Sequence, residues 1–184
     1  MEHITDLTLP LNRQLLFILD PHAAREQILK LTAHLAMQSE VTVLDGGNQF
    51  NAYTVAKSIR RRSRQLYEAM ERINISRAFS CYQMVTMLKR VKPAGTPIVV
   101  LDLMATFYDE NIALEESKRL LRTAGECLQS LSEVPVVVGL RPPRHSHDRL
   151  ELLEIIQSYD AMFWAHEPAV PQENWQTPDL FQDN

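Results

Sequence analysis

The chain has 184 residues, 45% of them apolar and 23% charged, with a formal net charge of −4. That length suits one domain with a sizeable core; the composition suggests neither a disordered nor a membrane class, and no apolar run approaches the ~18 residues of a transmembrane helix. An acidic chain binds nucleic acid only through a local basic patch. The opening Met1-Glu2-His3-Ile4-Thr5-Asp6 lacks the apolar core of a signal peptide. Cys81 and Cys127 fall in helical patterns outside any metal-ligand spacing, so they read as reduced core thiols of a cytoplasmic protein.

In chain order, Leu15-Leu16-Phe17-Ile18-Leu19 is a run for a strand buried on both faces. Asp20-Pro21 then reads as an N-cap with proline at the first helical position, and Ala24, Ile28, Leu31 and Leu35 predict an amphipathic helix over roughly 21–38. Val41-Thr42-Val43-Leu44 is the next strand, running into Asp45-Gly46-Gly47-Asn48, where the glycines suit a turn that needs positive φ. Ala52, Val55, Ala56, Ile59 and Leu66 share one helical face, but Arg62 falls on it too, which predicts a break near 60–64. Ile73-Asn74-Ile75-Ser76 is a short strand, and Ser80-Cys81-Tyr82-Gln83 opens a helix through about Val91.

Pro97-Ile98-Val99-Val100-Leu101-Asp102 is the central strand, and its terminal carboxylate stands where α/β sheets collect chemistry. Asp102 is open to two readings: a residue that helps hold Mg²⁺, or a carboxylate that serves the strand end and following turn. Ala113, Leu120, Leu121, Ala124, Leu128 and Leu131 then mark a long helix, and Val134–Gly139 the fifth strand. Asp148 with Glu151 suggests a capped helix start, and Tyr159–Trp164 is a sixth strand. Alternating strands and helices predict βαβ units in a three-layer α/β/α arrangement around a mostly parallel sheet. The expected organisation is one domain over 1–166, with 167–184 as an extended or mobile C-terminal tail.

Three stretches together resemble the core of RecA-like recombinases: Val41–Tyr53 (VTVLDGGNQFNAY), Ile75–Gln83 (ISRAFSCYQ) and Pro97–Tyr108 (PIVVLDLMATFY). The last is similar to that family's Walker B strand, which makes Asp102 a Walker-B-like remnant. The resemblance spans roughly 13–166 and implies strand order 3-2-4-5-1-6 and a fold built for nucleotide and DNA. The departures are in the chemistry. A phosphate-binding loop needs glycines whose backbone N–H groups wrap the phosphates, and a lysine. The matching Leu19-Asp20-Pro21-His22-Ala23-Ala24-Arg25 has neither, and no glycine precedes Gly46. Pro21 has no N–H to offer, and Asp20 puts a negative charge where phosphates belong. The family's catalytic glutamate corresponds to Gly47. These departures predict no nucleotide hydrolysis, no cofactor and no enzyme activity, and the scattered histidines, His145 and His147 included, make a poor metal site.

The basic residues point instead to binding. Arg60-Arg61-Arg62-Ser63-Arg64 and the run Arg141-Pro142-Pro143-Arg144-His145-Ser146-His147-Asp148-Arg149 are the two clusters. Arg60, Arg61, Arg64, Arg141, Arg144 and Arg149 are the candidate DNA contacts, against the alternative of solvated surface charge. In the tail, Trp175, Leu180 and Phe181 are candidate partner anchors, or else fold back on the chain's own surface. Thr177-Pro178-Asp179-Leu180-Phe181 resembles the short peptides by which bacterial repair proteins hold the replication sliding clamp, departing at Thr177 and Pro178. The expected function is a non-hydrolysing accessory protein of DNA repair or recombination. Its expected partners are a recombinase, a repair protein or the sliding clamp, with DNA contact open, no membrane, and homo-oligomers open. The alternative is a regulatory or scaffolding platform that binds neither DNA nor nucleotide.

Overall fold

Strand runs dominated by Val, Ile and Leu bury both their faces, and that requires helices above and below one sheet. The computed structural model describes residues 15–92, 95–143 and 149–165. In order these form β1 (Leu15–Leu19), α1 (Arg25–Ala36), β2 (Val41–Asp45), α2 (Ala52–Arg60), α3 (Leu66–Glu71), β3 (Ile73–Arg77) and α4 (Cys81–Arg90). Then come β4 (Ile98–Leu101), a 3₁₀ turn (Leu103–Thr106), α5 (Leu114–Leu131), β5 (Val136–Leu140), α6 (Leu150–Gln157) and β6 (Met162–Ala165). All pairings are parallel, in the order β3-β2-β4-β5-β1-β6. Every expected strand is present, and the order is the one the resemblance implied. Among the described residues no helix is long and apolar enough to cross a membrane.

The period-two rule of a strand divides the core into two layers. Leu15, Phe17, Ile98, Val100, Val136 and Val138 face α4, α5 and α6. Leu16, Ile18, Val41, Val43, Val99 and Val137 face α1, α2 and α3. Phe17, Ile18, Val43, Val99, Val100 and Val138 are all fully buried, and each such side chain contributes roughly 1.5–3 kcal/mol relative to exposure. Truncating Phe17, at the centre of one layer, would cost about 3–5 kcal/mol. Both cysteines are free thiols, Cys81 buried and Cys127 half-buried.

Three local expectations are corrected. Asp20 does not cap α1. Pro21–Ala24 form a turn, Ala23 and Ala24 take left-handed φ of 53° and 49°, and the helix begins only at Arg25. In the β2–α2 turn the positive φ falls on Asn48 (52°) and on neither Gly46 nor Gly47. The break at 60–64 is real, because α2 stops at Arg60 and α3 starts at Leu66. Only Arg60 of the basic run is therefore helical; Arg61, Arg62 and Arg64 lie in the connection. Ala52, expected on the apolar face, is exposed.

Candidate functional site

In an open parallel sheet the crevice lies beyond the carboxyl ends of the strands. Here β1, β2 and β4 each deliver a buried aspartate to that edge: Asp20, Asp45 and Asp102. Three buried carboxylates demand partners, and each has them inside the protein.

Asp20 Oδ1 accepts the backbone N–H of His22 at 2.7 Å and of Ala24 at 3.2 Å. The left-handed Ala23 and Ala24 turn those amides inward as a concave nest of the kind that binds anions. The chain's own carboxylate fills it. Asp20 also donates its N–H to Leu140 O at 3.0 Å, which ties the loop to β5. The loop lies so close to that strand that a Cβ on Gly139 would strike the Ala23 carbonyl and Ile28. This is the stretch matched to the phosphate-binding loop, and its amides are already spoken for.

Asp45 holds the β2–α2 turn. Oδ1 accepts from Gln49 N at 2.8 Å, Oδ2 from Phe50 N at 3.1 Å, and Arg77 Nε reaches Oδ2 at 3.2 Å from the end of β3. Arg25 donates Nε to Gln49 O at 2.8 Å, linking the start of α1 to the same turn. Asn51 then caps α2 by accepting from Thr54 N at 2.9 Å.

Asp102, left-handed at φ 49°, makes no side-chain cap to the turn that follows it. Its Oδ2 pairs with Arg141 Nε at 3.2 Å across the β4–β5 edge. Tyr108 donates its hydroxyl to Arg141 O at 2.8 Å and so fixes the residue that neutralises Asp102. Burial, and secondarily the Asp102 charge, push the Tyr108 hydroxyl well above the ordinary tyrosine value. Gly47 is small for this reason too: a Cβ there would stand 2.5 Å from Asp102 Oδ2. A glutamate at 47 has no room.

The predicted site residues therefore separate. Asp102 and Arg141 are brought together, as an ion pair. Arg149 is a correction: it is buried, and its guanidinium donates to Phe107 O (3.0 Å), Ser117 Oγ (3.0 Å), Asp109 O (3.0 Å) and Ile112 O (2.8 Å). A guanidinium so committed pins the loop before α5: four of its five donors, both terminal amino groups, are spent inside the protein, and no bidentate fork is left for phosphate. Arg60, Arg61 and Arg64 are exposed at the end of α2, on the far side of the sheet from α5 and α6. Arg144, His145, His147, Trp175, Leu180, Phe181 and the tail from 167 lie outside the described residues. Arg77 and Tyr108 were missed in the sequence, although Arg77 ends its strand as a lone cation beside the terminal aspartate of β2.

Chemically, the crevice holds two aspartate–arginine pairs, Asp45 with Arg77 and Asp102 with Arg141, and a third carboxylate, Asp20, bound by backbone amides. Among the described residues no three His, Cys, Asp or Glu side chains gather in a way that could hold a metal ion. No protein-family model matches the chain, and comparison with curated proteins gives no significant match.

Proposed function

We propose that the protein is a non-hydrolysing, RecA-like accessory protein of DNA repair or recombination that works by binding and not by turnover. The observation that carries the reading is Asp20 seated in the amide nest after β1. An ATP phosphate would have to displace a carboxylate that is covalently tethered and hydrogen-bonded to two backbone amides, while paying like-charge repulsion against it. The fold and strand order support the kinship with nucleotide- and DNA-handling proteins, and the basic end of α2 supports DNA contact. Calorimetric titration of the full chain with a non-hydrolysable ATP analogue and Mg²⁺ is expected to give nothing tighter than about 1 mM, roughly −4 kcal/mol. Micromolar binding that is lost in Asp102→Asn would overturn the reading.

One observation favours the platform alternative. At the sheet edge β3 carries an exposed Ile75, and Phe79 just beyond it is 76% exposed, with Tyr67 and Tyr82 exposed on the helices either side of the strand. Apolar side chains beside an open strand edge are features of strand-addition partners. Capture partners that survive nuclease treatment and are lost on Ile75→Lys would favour that reading over DNA.

A further inference from the structure

The charge of this chain is unevenly placed. Against a net charge of −4, the seam between α1 and α2 opens outward as two adjoining hollows of about 500 and 190 Å³ that share Lys30, Ser58 and Arg61. The larger is within the roughly 300–1,000 Å³ of ligand-sized clefts. Its cations are Arg25, Lys30, Lys57 and Arg61, with Arg62 added in the smaller hollow, and Glu26 is the lone carboxylate in either. Glu26 is paired to Lys30 at 2.6 Å, which leaves four cations uncompensated by any carboxylate lining the seam. Lys57, Arg61 and Arg62 form no ion pair with a described carboxylate.

The spacing makes this a built track. Tyr53, Lys57 and Arg61 recur at i, i+4 and i+8, so they stand one above another along a single face of α2 and into the turn that ends it. Arg25 is fixed at the head of the seam by its bond to Gln49 O. Along α1, twelve residues long, the seam runs for ~18 Å at 1.5 Å per residue. Tyr53 is 73% exposed at its mouth, a flat aromatic face with nothing of the core to cover.

We infer that the α1–α2 seam is a binding site for a single strand of nucleic acid, with Lys57, Arg61 and Arg62 meeting successive phosphates and Tyr53 stacking on a base. Cations that track a backbone beside an aromatic platform are the recurring means of holding single strands without sequence preference. An acidic peptide suits the seam less well, because its walls are polar and lack the deep apolar pocket a peptide anchor fills. A duplex is too wide to enter a cleft between two packed helices. The inference rests on the DNA-accessory reading and gives it a location, on the opposite layer of the sheet from α6.

The test uses the full chain and fluorescein-labelled oligothymidine, read by anisotropy between 50 and 200 mM salt (roughly the range over which phosphate contacts tell), with oligouridine run beside it to tell DNA from RNA. Lys57→Glu/Arg61→Glu is expected to weaken binding at least tenfold and to flatten the log–log salt slope by about 1.4, at about 0.7 per lost phosphate contact. Tyr53→Ala is expected to weaken it about tenfold. Lys89→Glu/Arg90→Glu on α4, an equal charge change on the opposite layer, is expected to stay within about threefold of wild type. All the substituted side chains are exposed, so melting curves should match wild type and exclude misfolding. Equal loss in both charge variants overturns the site, since only net charge would then matter. Wild-type affinity in the α2 variant overturns the site but leaves DNA binding in place elsewhere. Equally tight binding of heparin with no effect of Tyr53→Ala overturns the ligand class in favour of a generic polyanion. Failure to bind any oligonucleotide overturns both this inference and the DNA-accessory reading.

Discussion

Replacing Arg149 with methionine separates what the structure requires of this residue from what its place in a basic run suggests. Methionine keeps an apolar stem of similar length and removes all four donated bonds. The acceptors Phe107 O and Ser117 Oγ lie in buried surroundings, while Asp109 O and Ile112 O are partly open to water. Water can re-satisfy the second pair. Each buried acceptor left unpaired costs about 1–3 kcal/mol, which puts the pair at about 2–6. Relief of the desolvation carried by a buried guanidinium offsets part of this. A net loss of about 3 kcal/mol follows, or about 6–12 °C in melting temperature at the roughly 2–4 °C per kcal/mol of a domain this size. Thermal unfolding followed by circular dichroism measures it, and urea titration gives the free energy independently. Arg149→Lys, which restores the charge but not the fork of donors, should fall between the two. An Arg149→Met protein that melts with wild type but binds oligonucleotide more weakly would refute the reasoning, for it would put the guanidinium in solvent facing phosphate.

Three further outcomes are expected. Asp20→Ala leaves the amides of His22 and Ala24 without their acceptor and should cost about 1–2 kcal/mol by chemical denaturation, with no ATP binding gained in calorimetry; micromolar ATP affinity in this variant would mean that the carboxylate alone was the obstacle. Gly47→Glu should lower stability by at least about 2 kcal/mol, because its Cβ meets Asp102 Oδ2, so a variant with wild-type melting would show the turn to be looser than described. For Tyr108, burial and the Asp102 charge raise the folded-state value above the ordinary one near 10. The unfolded chain therefore ionises first, and the stability this group supplies is intact below about pH 10 and lost as pH climbs beyond it. Melting temperature should fall across that range, and Tyr108→Phe should flatten the fall while costing about 1 kcal/mol at neutral pH for the lost bond to Arg141 O.

The strands were legible because their physics is local. Ile98–Leu101 and Val136–Val138 are unbroken apolar runs, and a run with no polar face must be covered twice. The break after α2 was legible for the converse reason, a guanidinium at 62 on a face otherwise apolar. The start of α1 was not, since Asp20-Pro21 carries every sign of a helix N-terminus. Ala23 and Ala24, however, adopt left-handed backbone that alanine disfavours, held there by the amide bonds to Asp20 and the close seat against Gly139. Arg149 was not legible either. Its four acceptors come from residues 107–117, about forty positions earlier, and nothing in a run of arginines and prolines distinguishes a buried member from an exposed one.

Asp20, Gly47, Asp102 and Arg141 also bear on each other. Asp20 fills the nest after β1. The absence of a side chain at 47 gives Asp102 its room, and Asp102 holds Arg141, whose carbonyl in turn takes the Tyr108 hydroxyl. For the crevice to take a phosphate, the carboxylate at 20 would have to be removed, glycines put into 21–24, a lysine supplied at 25 and Arg141 drawn off Asp102. No one of these is favourable without the others, so no single substitution makes a nucleotide site here. Uncompensated cations stand elsewhere, among them Lys57, Arg61 and Arg62 along α2 and its end, which lie outside every ion pair described. At the edge of the sheet Asp45 and Asp102 are each matched by an arginine, whereas the outer seam of α1 and α2 holds four cations that no lining carboxylate compensates, and that asymmetry is the electrostatic argument for the proposed anionic partner at the seam.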